Sequence, residues 1–106
     1  MYRIVQTKYF QNLFLKRIPE NMQRNVERKI NRLRNNPYSG KPLSYKFLRE
    51  LKAGKFRIYY SVYEDFITVL LVSVSDKRLQ KDTVQIMKKE RKDYERLLKR
   101  YLKTTI

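Results

Sequence analysis

The chain has 106 residues and carries 26 Lys and Arg against 10 Asp and Glu, a formal net charge of +16. An excess of this size points to a polyanionic partner, either nucleic acid or an acidic protein. The chain has neither cysteine nor histidine, which excludes disulfides and thiolate chemistry and removes the usual base near neutral pH and the commonest metal ligand. No metal or other cofactor is expected. The longest apolar runs are too short to cross a membrane, and the N-terminus shows no signal-peptide core. The expectation is one cytoplasmic domain over residues 1–106 with a modest core.

Residues 2–6 alternate and read as a short strand. Thr7 is placed to cap a helix in which Tyr9, Phe10, Leu13 and Phe14 share a face. Pro19 and Glu20 suit the start of a second helix, about 19–34, with Met22, Val26, Ile30 and Leu33 inward. Arg24, Arg28, Lys29, Arg32 and Arg34 line the rest of it, with Glu27 among them. They form either a solvated face or a supplementary phosphate track. Asn36-Pro37 ends the helix, and 36–45 reads as a loop by its Pro, Gly and Ser content.

Three strands follow within residues 47–74, with Ala53-Gly54 and Glu64-Asp65 as two-residue turns. In that register Lys52 opposes Lys55, Glu50 opposes Arg57, Tyr59 opposes Leu70 and Arg57 opposes Val72. Phe56, Ile58, Tyr60 and Val62 then seat the two helices, and Arg57, Tyr59, Ser61 and Tyr63 face the other way. On the third strand Ile67, Val69 and Leu71 turn to the helices, while Leu70, Val72 and Val74 are apolar on the opposite face. A strand apolar on both sides is covered on both sides. The cover is either a partner segment or the C-terminal helix, residues 81–103, whose stripe of Val84, Met87, Tyr94, Leu97, Leu98 and Tyr101 is interrupted by Arg91.

The first turn and the exit of the third strand fall at one end of the sheet. Lys52, Lys55, Arg57, Lys77, Arg78 and Lys81 therefore converge there. Directly opposed like charges are unfavourable, and an anionic ligand relieves them. Arg57 is the central candidate; its structural alternative is a weak cross-strand pair with Glu50. Tyr59, on the same face, is a candidate for stacking on a base.

The run Arg49-Glu50-Leu51-Lys52-Ala53-Gly54-Lys55-Phe56-Arg57-Ile58-Tyr59-Tyr60 resembles the RelE/ParE superfamily of toxins from type II toxin–antitoxin systems. Its pattern is Glu-Leu-Arg, a short Gly turn, Tyr/Phe-Arg, then an apolar strand leading into a basic loop. Residues 77–81 with the trailing helix look most like the HigB branch. The resemblance covers about residues 2–87. It implies an α+β fold, a small antiparallel sheet of about four strands with two N-terminal helices on one face and 81–103 as a C-terminal helical extension.

It also implies a metal-independent endoribonuclease that enters the ribosomal A site and cuts mRNA by attack of the 2′-hydroxyl on the adjacent phosphate. Arg57 matches the arginine that holds the scissile phosphate, Lys52 the basic residue ending the preceding strand, and Lys77 or Arg78 that of the exit loop. Glu50 is a candidate base, although a carboxylate beside an arginine accepts a proton poorly. Lys55, Tyr59, Lys81 and Arg49 are the candidate RNA contacts. The implied partner is an acidic RelB-like antitoxin wrapping the toxin, in a heterotetramer, with a toxin homodimer as the other assembly. Where some members carry His or Tyr after the last strand this chain has Thr83 and Val84, and Gly40-Lys41-Pro42-Leu43 lacks the Glu of others. Two alternatives stay open: a ParE-like toxin that poisons DNA gyrase, and a non-toxic binding module.

Overall fold

The computed structural model describes residues 1–76 and 81–104, and within the last helix the side chains of residues 85 and 87–100. In chain order the elements are β1 (Arg3–Gln6), α1 (Lys8–Arg17), α2 (Glu20–Asn31) with a 3-10 turn over Arg32–Arg34, β2 (Lys41–Leu43), β3 (Tyr45–Ala53), β4 (Phe56–Tyr63), β5 (Thr68–Ser75) and α3 (Lys81–Thr104). The sheet order is β1-β5-β4-β3-β2. The class is α+β, but the sheet has five strands and is mixed, because β1 lies parallel to β5. Parallel neighbours need a long crossover, and the whole chain between β1 and β5 provides it. The fifth strand is β2, which forms inside the stretch expected to be a loop and pairs with β3. No helix among the described residues is long and apolar enough to cross a membrane.

Local chemistry accounts for the helices. The Thr7 hydroxyl accepts a hydrogen bond from the Phe10 amide at 3.0 Å, capping α1. Phe10, Phe14, Val26, Ile30 and Leu33 then pack with Phe56, Ile58, Tyr60 and Val62 in a first core. Tyr9 stays outside it, 62% exposed. A second core fills the opposite face, where Leu48, Tyr59, Tyr63, Leu70 and Val72 meet Met87 and Leu98 of α3. The cover that β5 requires is thus the chain's own last helix.

Both hairpin registers differ from expectation. The first turn is Gly54-Lys55, so Ala53 pairs with Phe56, Lys52 with Arg57 and Glu50 with Tyr59. Gly54 takes φ +62, a left-handed conformation that glycine adopts without strain. Ala53, 1% exposed, goes into the first core rather than into a solvated turn. The second connection is a 3-10 turn over Glu64–Phe66 followed by Ile67 in the left-handed region, so Tyr63 pairs with Thr68. Ile67 is 54% exposed instead of facing the helices. A register shift after Tyr59 places Tyr60 opposite Leu71 but Tyr59 opposite Ser73, leaving Val72 as an inserted residue. A bulge reverses the alternation beyond it. Val74 therefore joins the first core rather than the second face.

Candidate nucleic-acid interface

The shifted register changes which cations meet. Lys52 sits directly across from Arg57, and Arg57 in turn lies across from Ser75 at the end of β5. Lys52 and Lys55, which a two-residue turn one position earlier would oppose, are not partners. Glu50 no longer faces Arg57 squarely, yet the two form an ion pair along the diagonal, with Arg57 Nη1 donating to Glu50 Oε1. The Glu50 side chain is 8% exposed and that of Arg57 is 30% exposed. A buried carboxylate thus fixes the guanidinium, while part of that guanidinium stays open to solvent. Arginine carries five N–H donors in a planar fork, so one carboxylate leaves donors for a phosphate.

Two sequence-derived candidates are taken up by packing and hydrogen bonds. Tyr59 is 0% exposed, enclosed in the second core, and has no ring face free to stack on a base. Arg49 projects toward the first-core side and braces the loop before β2. Its Nε donates to the Gly40 carbonyl at 2.8 Å and its Nη1 to the Lys46 carbonyl at 2.8 Å, with the guanidinium 5.2 Å from the Tyr38 ring centroid. Arg49 faces away from the Arg57 cluster, and Tyr59, across from Glu50, is sealed in the second core. Lys55 is exposed at the hairpin tip and leans its ammonium over the Phe56 ring at 5.3 Å. Lys77, Arg78 and the side chain of Lys81 lie outside the described residues. Arg17 reaches Asp76 at 3.8 Å and ties the exit of β5 to α1. Among the described residues no group of acidic side chains is arranged to hold a metal ion.

Gly40 supports this end of the sheet from behind. Its amide donates to the Tyr60 hydroxyl at 3.0 Å, and a Cβ there would fall 2.6 Å from that hydroxyl and 2.7 Å from the Glu50 carbonyl. The Glu50 backbone is held in the β3 ladder and cannot move aside. Gly40→Ala is expected to destabilise the protein by about 1–3 kcal/mol, seen as a lowered thermal midpoint; an unchanged midpoint would show that the loop has room to shift.

The main feature that sequence reasoning missed is Arg91. The residue that breaks the apolar stripe of α3 is sandwiched between Phe47 and Tyr63, 3.8 Å and 4.2 Å from their ring centroids. It donates to Ser61 Oγ and, at 2.8 Å, to the Val62 carbonyl. Burial lowers its affinity for the proton, opposed by Tyr63 and Glu95. Burial in turn raises the Tyr63 phenol, partly offset by Arg91. Beside them the Tyr38 hydroxyl donates to Glu64, and burial together with that bond pushes the Tyr38 phenol up to about 12. Burial likewise raises the Tyr60 phenol against the donation from Gly40. The one legible signal for Arg91 was the interruption itself.

A mixed five-stranded sheet with two helices on one face and a third on the other is a RelE-like fold. The chain belongs to the ParE toxin family of type II toxin–antitoxin systems, whose family model matches residues 7–80. In sequence it matches no curated protein. In structure it resembles the toxin of the Escherichia coli RelBE toxin–antitoxin complex, with TM-score 0.65 and 13% identity over 74% of this chain and 100% of that one. It also resembles a chain of a Mycobacterium tuberculosis RelBE complex, with TM-score 0.63 and 21% identity over 72% and 91%. A chain of the RelE–RelB complex of Pyrococcus horikoshii aligns with TM-score 0.57 and 17% identity over 70% and 92%. These likenesses establish the shared fold.

Proposed function

We propose that this toxin is a ribosome-dependent mRNA endoribonuclease. The observation that carries the reading is the half-open Arg57 guanidinium, anchored by buried Glu50 and set across from Lys52. A phosphodiester attacked by its own 2′-hydroxyl gains charge on the phosphoryl oxygens as the 2′-O–P bond forms and the P–O5′ bond breaks. Fixed cations stabilise that charge without reorganising at the moment of reaction. Arg57 grips the phosphate and Lys52 adds charge from the neighbouring strand. Glu50, buried and held by Arg57, positions the guanidinium, while the 2′-hydroxyl gives its proton to solvent and the departing 5′-oxygen takes one from solvent.

The partner is an acidic antitoxin segment of the RelB kind, which complements a net charge of +16. The ribosomal A site as target places the protein in the cytoplasm. Translating ribosomes mixed with the protein should yield message cut within codons. Uncut message together with blocked DNA supercoiling would select the second reading, a gyrase poison, which the match to the ParE family model favours.

A further inference from the structure

The basic flank of α2 is not needed to explain the Arg57 cluster, and its placement is specific. Arg28, Lys29 and Arg32 line a cleft with Ala53 at the end of β3 and Gly54 of the turn that follows, together with Met22 and Val26. The Lys29 ammonium donates to the Lys52 carbonyl at 3.4 Å, tying the helix to the strand that carries the site. Glu27 lies on the other flank, toward α1, where it lines a separate cleft with Phe10 and Phe14. The charged residues that line the cleft at the hairpin tip, where Lys55 is exposed, are all cations. Among the described residues Arg24, Arg28, Lys29, Arg32 and Lys52 have no carboxylate within ion-pair distance.

From this we infer that α2 and the β3–β4 turn form a second docking surface, one that grips the sugar–phosphate backbone of double-helical RNA on the side of the sheet opposite Arg57. The choice of RNA rests on the ribonuclease reading above; the surface itself does not. Arg24, one turn before the cleft, Arg28, and Arg32 at the start of the 3-10 turn recur at every fourth residue, about 6 Å per step along a helix, comparable with the separation of successive phosphates on one strand. Arginine suits such a row because its fork meets a phosphate with two parallel bonds. A protein partner would need an apolar anchor at the centre of its footprint. Among the described residues the large hydrophobic side chains left exposed are Met1, Tyr9, Leu15, Ile67 and Leu97, and none of them lines this cleft. Unpaired RNA would need exposed aromatic faces for its bases, and the cleft has none. A duplex presents its phosphates outward and asks only for a row of cations.

The test is binding of the purified full chain to a fluorescent RNA hairpin stem across a potassium chloride series. The triple variant Arg24→Gln/Arg28→Gln/Arg32→Gln is measured beside the unaltered chain. All three residues are exposed, so its thermal midpoint should match the parent's and serve as the fold control. The expected result is weaker binding and a log–log salt slope shallower by about 2–3 units, near 0.9 for each phosphate no longer neutralised. A slope indifferent to the three arginines overturns the proposal. So does tighter binding to a DNA duplex of the same sequence, or displacement of RNA by a polyglutamate peptide at equal charge. The two readings fail separately. Uncut message with intact stem binding counts against the nuclease, whereas cut message with an unchanged slope counts against this surface.

Discussion

Arg57→Ala is expected to reduce message cleavage on translating ribosomes by about 10²–10³-fold, the usual cost of removing one preorganised donor from a developing oxyanion. The same change has a structural consequence, because the Glu50 carboxylate is 8% exposed and loses its partner. Stranding a buried charge is costly. The half-open setting of Arg57 moderates that cost to about 1–3 kcal/mol, read as a lower thermal midpoint. Two effects then coincide in one variant, and a second variant separates them. Arg57→Ala with Glu50→Gln removes the stranded charge, so stability should largely return while cleavage stays lost. Recovery of cleavage with stability would mean that Arg57 serves the fold alone. Cleavage at the parent rate in Arg57→Ala would remove the guanidinium from the chemistry altogether.

The residues that were legible are those whose neighbours are local. Thr7 and the spacing of Phe10 and Phe14 announced α1, and Phe56, Ile58, Tyr60 and Val62 announced the face that receives it. The failures are matters of register and of distant packing. Whether Ala53-Gly54 or Gly54-Lys55 makes the turn depends on Ala53 entering the first core beneath α2, and no local pattern states that. One residue of slip exchanges every cross-strand partner, which is why the Glu50–Arg57 pair was foreseen and its diagonal geometry was not. The bulge at Val72 redirects Val74 in the same way. Tyr59 looked available because its strand neighbours Arg57 and Ser61 are polar. Its burial comes from α3, more than twenty residues further along. Arg91 carries the same lesson in reverse, since a charge in an apolar stripe was the visible end of a cation–aromatic stack.

That stack gives the second large effect. Arg91→Ala is expected to destabilise the protein by about 2–4 kcal/mol. Separation from the Phe47 and Tyr63 rings contributes about 1–2 kcal/mol for a partly desolvated pair. Removal of the bonds to Ser61 Oγ and the Val62 carbonyl contributes about 1.5–3 kcal/mol, charged donors being the strong ones. Relief of burying the charge offsets part of the sum. Arg91→Lys should rescue little, because an ammonium lacks both the planar face and the fork that reaches two oxygens. Thermal unfolding measures the midpoint, and amide exchange in α3 shows whether the helix loosens before the sheet does. The consequence reaches the site through Tyr59, which packs in the second core and pairs with Glu50 across β3 and β4. A loosened α3 hydrates that core and slackens the grip of Glu50 on Arg57. Arg91→Ala should therefore lower cleavage as well, by much less than Arg57→Ala, with the loss shrinking as the temperature falls away from the midpoint. A cleavage defect that persists in full well below the midpoint would instead put Arg91 in contact with the message.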